Sequence, residues 1–253
     1  MDTKKKTKSL RNTIMLLTGL LVVLTAVSIG LNGVLSIKDM SETAYNTYVA
    51  AVNSGYNAEI KSEVQSTISV LQSEYDKFLA GEKTEEQAKT DAKEIIRIMR
   101  YRDDASGYFW IDDTDYILVM HPILVDQEGA YRFELEDPNG VMIIQQIMKT
   151  CQSEEKGGFN EFYFTKSDGV TVAPKVAYSQ IFEPWGWIVS TGNYVDDMEK
   201  DMAEVKTYLQ KSYDNALLRV DVVFILVVVL ALAIAFFYGT HIVKPLKKMR
   251  AFA

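Results

Sequence analysis

The chain has 253 residues, with 27 basic and 34 acidic side chains, a formal net charge of −7 and one cysteine. An acidic balance without a basic stripe gives no support to a nucleic-acid partner, and one cysteine excludes a disulfide-stapled scaffold. What stands out is the uneven spread of apolar residues, which collect at the two ends.

Residues 12–37 form the first apolar run and contain no charged side chain. A helix needs about 20 apolar residues to cross the hydrocarbon core of a bilayer, and this run exceeds the 7–15 residue core of a cleaved signal. It is expected to be an uncleaved transmembrane helix. Lys4, Lys5, Lys6, Lys8 and Arg11 precede it. Basic flanks mark the cytoplasmic side, so residues 1–11 are expected in the cytoplasm. The second run, 222–240, is also uncharged, and with its lead-in it predicts a second span over 216–240. Lys244, Lys247, Lys248 and Arg250 follow it. Between the runs lie 18 basic and 33 acidic residues, which predicts an acidic extracytoplasmic domain over 38–215.

After the first span, Tyr56, Ile60, Val64, Ile68, Leu71, Tyr75 and Phe78 recur at spacings of three and four, predicting one long helix to about Ala80. Gly81 is its stop. Thr84 and Gln87 form a capping box for a second helix to about Arg100. Gly107-Tyr108-Phe109-Trp110-Ile111 then reads as a strand, Asp112-Asp113-Thr114-Asp115 as a turn, and residues 116–121 as a second strand. The acidic turn lacks the glycine and distal glutamate of a calcium loop and reads as a plain hairpin turn. Asp137-Pro138-Asn139-Gly140 opens a short buried helix over 141–148, and Gly157-Gly158 reads as a break. Three strands are expected at 159–165, 170–182 and 185–192, with a final helix from about Tyr194 into the second span. The expected fold is α+β: a five-stranded antiparallel sheet behind a long N-terminal helix, flanked by two transmembrane helices.

No motif of an enzyme is present: no nucleophile elbow, no zinc-protease helix, no phosphate loop. His121 is the sole histidine between the spans, and with Cys151 far away it makes a poor metal site. Cys151 reads as a small buried residue. Neither a metal nor a cofactor is expected. The candidate residues are Tyr108, Trp110, His121, Lys175 and Tyr178: aromatic walls with one or two cationic donors suit a small anion such as a carboxylate. Lys175 and Tyr178 are separated by an odd number, so a regular strand puts them on opposite faces.

The order of several stretches resembles the single-Cache sensory domain of bacterial transmembrane receptors, methyl-accepting chemotaxis proteins above all. The matching pieces are Gly107-Tyr108-Phe109-Trp110-Ile111, Met120-His121-Pro122, Asp137-Pro138-Asn139-Gly140, Gly157-Gly158-Phe159, Pro174-Lys175-Val176-Ala177-Tyr178, Pro184-Trp185-Gly186-Trp187 and Thr191-Gly192-Asn193-Tyr194. The resemblance implies a PAS-like five-stranded sheet and a pocket for a short carboxylate such as acetate, propionate or pyruvate, with Tyr108, Trp110, His121, Lys175 and Tyr178 at or beside it. It also implies a homodimer. Two departures are Phe162, where the family often has tyrosine, and the acidic segment Val125-Asp126-Gln127-Glu128-Gly129 beside an expected anion site. His241-Ile242-Val243-Lys244-Pro245 resembles the start of a HAMP linker over 241–253, which implies a cytoplasmic output module and its signalling partners. The expected function is extracytoplasmic sensing of a small ligand by a chemotaxis receptor. The alternatives are the sensor of a histidine kinase or cyclic-dinucleotide enzyme, a membrane-anchored ectoenzyme, or an anchored scaffold.

Overall fold

The computed structural model describes residues 3–166 and 168–237; the HAMP-like stretch lies outside them. The elements are α1 (Thr3–Leu79), α2 (Glu85–Ile98), β1 (Trp110–Asp113), β2 (Leu118–Met120), α3 (Ile143–Cys151), β3 (Gly157–Thr165), β4 (Val172–Phe182), β5 (Trp187–Tyr194) and α4 (Val195–Phe237). They divide into two units, one of Met1–Tyr48 with Glu204–Ala253 and one of Val49–Ala203.

In the first unit, α1 and α4 each carry a segment long and apolar enough to cross a membrane, with mean hydropathies of 2.2 and 2.9 and none of either window buried. Leu16, Leu20, Leu24, Val222, Leu226 and Leu230 are among the exposed side chains. Large contiguous apolar surface of this kind marks a membrane or protein-contact surface.

The second unit is a five-stranded sheet in the order β2-β1-β5-β4-β3, antiparallel at every pairing. Alternation along the strands sorts the side chains into two layers, with a register shift between β1 and β2 at Ile111 and Asp112. Ile60, Val64 and Leu71 of α1 and Ala88, Ala92 and Ile96 of α2 seal one face against Phe109, Ile111, Tyr178, Phe182, Trp187 and Val189. Ile143, Ile144, Ile147 and Met148 of α3 cover the other, over Trp110, Phe162, Ala177 and Ile188.

Local signals act where expected. Gly81 stops α1 at φ +75°. Thr84 accepts from the Gln87 N–H while the Gln87 side chain accepts from the Thr84 N–H, so two orphan donors at the start of α2 are satisfied. Several boundaries differ from expectation. Helix α2 ends at Ile98 rather than Arg100, and α3 starts and ends later than 141–148, running to Cys151. Strand β1 begins at Trp110 and carries through Asp113, so Asp112 belongs to a strand and the turn starts later. There the Asp113 carboxylate accepts from the N–H groups of Asp115 and Ile117, which is turn chemistry rather than cation binding. Gly157 and Gly158 do not break the chain; they open β3, pairing with Gln180 and Ser179. A Cβ on Gly157 would lie 2.7 Å from the Ser179 carbonyl oxygen, and one on Gly158 2.6 Å from Thr150 Cγ2. Glycine there serves close packing.

Candidate functional site

The α3 face of the sheet buries charge. Three strands supply its floor in one row, because Phe162 pairs with Lys175 and Lys175 with Tyr194. All three therefore point to the same side. Trp110 enters from β1, in register with Ser190. Tyr108 lies just before β1 and is fixed by its carbonyl, which accepts from the Thr191 hydroxyl at 2.6 Å.

Lys175 is 2% exposed. Its Nζ donates to the Tyr108 hydroxyl at 3.0 Å and lies 4.7 Å from the ring centres of Tyr108 and Trp110 and 4.8 Å from that of Tyr194. Among the described residues no carboxylate pairs with it. Aromatic faces and one phenolic oxygen only partly replace the water a buried ammonium gives up. Burial pushes the Tyr108 phenol up, but the Lys175 charge and hydrogen bond, with the Tyr194 hydroxyl beside it, outweigh this and leave it lowered. Tyr194 is raised by its burial and by neighbouring Tyr108.

His121 follows β2 and is 3% exposed. Its Nδ1 accepts from the N–H groups of Ile123 and Leu124 at 3.1 and 3.0 Å, so the ring is neutral and its proton sits on Nε2. Burial, then Lys175 and Arg132, hold its pKa down at about 3. Glu128 holds the loop in place: it accepts from the His121 N–H at 2.9 Å and takes a bidentate pair from Arg97 at 2.6 and 3.0 Å. The Glu128 carboxylate of the acidic segment 125–129 is thus engaged in structure.

Arg132 and Asp112, neither of them among the expected site residues, form a buried pair at 3.1 Å. Arg132 joins Trp110, His121, Ile143, Phe162, Phe164 and Lys175 around a cavity of about 10 Å³. That is barely the space of one water, so any larger molecule entering it would have to widen it. A larger open depression of about 530 Å³ at the end of α1, lined by Ser69, Gln72, Asp76 and Glu82 among others, has none of this convergence of buried cations and aromatic rings. Among the described residues no cluster suits a metal ion.

Of the five expected residues, four meet here: Tyr108, Trp110, His121 and Lys175. Tyr178 does not. Its ring packs on the α1 face, 4.9 Å from Phe159 and under Lys61, as the odd spacing from Lys175 in a regular strand requires. Arg132 was visible as a lone cation between Tyr131 and Phe133, and Asp112 as an acid one alternation from Trp110. Phe162 lines the cavity as a plain apolar wall.

Residues 52–207 match the family described as Single Cache domain 2. The chain belongs to that family. This Cache chain is 31% identical over 124 residues to the methyl-accepting chemotaxis protein McpP of Pseudomonas putida, covering 49% of the chain and 22% of that relative. It is 28% identical over 160 residues to the sensor histidine kinase MctS of Rhizobium johnstonii, covering 63% of the chain and 33% of that relative. A solved structure described as the basis for carboxylic acid recognition by a Cache chemosensory domain superposes with a TM-score of 0.54 at 27% identity, over 58% of this chain and 97% of that one. The chain therefore spans a third or less of the length of these two curated relatives.

Proposed function

We propose that this Cache chain is the sensing and membrane-spanning portion of a bacterial chemotaxis receptor, and that its α3-face cavity binds a short monocarboxylate. The observation that carries the reading is the buried Lys175 ammonium, which has no carboxylate partner among the described residues. A ligand carboxylate would supply the missing charge. Arg132 and the Nε2–H of His121 are the further donors, and Trp110, Phe162, Phe164 and Ile143 close around the alkyl end. The carboxylic-acid recognition by a similar Cache domain supports this assignment.

In this reading residues 12–37 and 216–240 are the spans, 1–11 are cytoplasmic, 38–215 face outward, and 241–253 begin a HAMP linker. The receptor works as a homodimer, and it reports binding through a cytoplasmic output module. No catalytic step is assigned. Similarity to MctS favours a second reading in which the output is a histidine kinase.

A thermal-shift panel on the 253-residue chain in nanodiscs tests the ligand class. Acetate, propionate and pyruvate are expected to raise the melting temperature at millimolar concentration by mass action, while acetamide and propionamide are not. Equal shifts with the amides would remove the role of the ligand's charge.

A further inference from the structure

Buried charged groups meet around the cavity. Lys175 enters from β4, Arg132 from the loop after β2, and Asp112 from β1; His121 is neutral because its Nδ1 accepts two backbone N–H bonds, and the Tyr108 hydroxyl accepts from Lys175. Asp113, next in sequence, is the other acid acting on Asp112. Ile188 and Leu118, its register partners on β5 and β2, are apolar, as is Ile143 of α3 on the far wall. Among the described residues Lys175 and Arg132 are the cations lining the cavity, and Arg132 alone of the two is paired with a carboxylate, that of Asp112.

Asp112 is fully buried, and the pair it forms with Arg132 is incomplete. Among the described residues Asp112 Oδ1 and Arg132 Nε have no hydrogen-bond partner, and Arg132 is only 7% exposed. Such an arrangement contributes little to stability compared with an apolar pair of the same shape. It does occupy half of a cation that lines the cavity.

Building on the carboxylate reading, we infer that Asp112 is the specificity residue that sets the charge of the ligand: it holds Arg132 as a half-neutralised wall so that the cavity accepts one negative charge and rejects two. Coulomb repulsion from Asp112 scales with ligand charge. Removing Asp112 favours any anion, and it favours a dianion twice as much. The ratio of affinities for a dianion and a monoanion therefore isolates this residue from effects common to both.

The test is calorimetric titration of propionate and of oxalate into the 253-residue chain and into Asp112→Asn, at pH 7.5. Oxalate is compact and stays doubly charged well below neutral pH. The parent chain is expected to bind propionate and discriminate against oxalate. Asp112→Asn is expected to narrow that discrimination at least tenfold. If the variant does not fold, the parent chain at pH 5.5 serves instead, because protonating Asp112 shifts the ratio the same way. Propionate binding with an unchanged ratio in the variant, or between the two pH values where the variant does not fold, would overturn the charge-setting role and leave the carboxylate reading intact. No binding of either anion to either chain would overturn both.

Discussion

The two faces of one sheet are built on opposite principles. Toward α1 and α2 the strands present Phe109, Ile111, Phe182, Trp187 and Val189 to Ile60, Val64 and Leu71, an apolar layer that excludes water and gains stability from area. Toward α3 the same strands bury Asp112, Lys175 and, from the flanking loops, His121 and Arg132. Those groups give up hydration and receive incomplete partners in return. The alternation of the strands lets one element serve both purposes: Ile111 and Asp112 are neighbours in sequence and belong to different layers. One face holds the domain together, and the other, in the proposed reading, is held in a state that a ligand would improve.

The largest effect should come from the first face. Leu71→Ala is expected to cost about 3 kcal/mol in chemical denaturation, with propionate affinity unchanged wherever the protein remains folded. A cost below about 1 kcal/mol would mean that α1 is not part of the cohesive layer. Next comes the loop that carries His121. Glu128→Gln weakens the charge-assisted bonds to Arg97 and to the His121 N–H. It should cost about 1–3 kcal/mol and also lower ligand affinity, coupling the two measurements that Leu71→Ala separates. Loss of stability with affinity intact would place His121 outside the binding event.

Acid sharpens the contrast within the second face. His121 is held neutral with a pKa of about 3 while the unfolded ring titrates near 6.5. It therefore costs stability progressively as pH falls from about 6.5 toward 3. Asp112 has its pKa raised to about 6 by burial against an ordinary value of 3.8, so it returns stability as pH falls from about 6 toward 4. Between those limits the two oppose each other, each by up to about 1.4 kcal/mol per pH unit. Asp112→Asn should steepen the loss on acidification, and His121→Gln should flatten or reverse it. Parallel curves for both variants and the parent chain would contradict the burial of these groups. The smallest effect is expected at Tyr178. Tyr178→Phe should leave propionate affinity within about twofold, since its ring lies on the apolar face; a larger loss would join the two faces functionally.

Much of this layout is legible in the chain because it depends on period and punctuation. The stripe of Ile60, Val64 and Leu71 reads as a helix face, Thr84 and Gln87 read as a cap, and the odd separation of Lys175 from Tyr178 predicts their parting. Less legible is anything that depends on a partner distant in sequence. Asp112 reads as a turn residue until Arg132, twenty positions on, is brought to 3.1 Å. Glu128 reads as an obstacle to an anion until Arg97 engages it. Gly157 and Gly158 read as a break because local propensity does not register the Ser179 backbone and Thr150 side chain that crowd them. Tyr194 closes the row beside Lys175 only through the register of β4 with β5.

The central claim is that the Lys175 ammonium waits for a carboxylate. Calorimetric titration of propionate into the 253-residue chain and into Lys175→Met, at pH 7.5, tests it most directly. The account predicts one site per chain in the parent and an affinity loss on the order of 30-fold or more in the variant. It also predicts that the variant melts no lower, since a buried charge without an ionic partner has been removed. Equal affinity in the two proteins, with both folded, would contradict it.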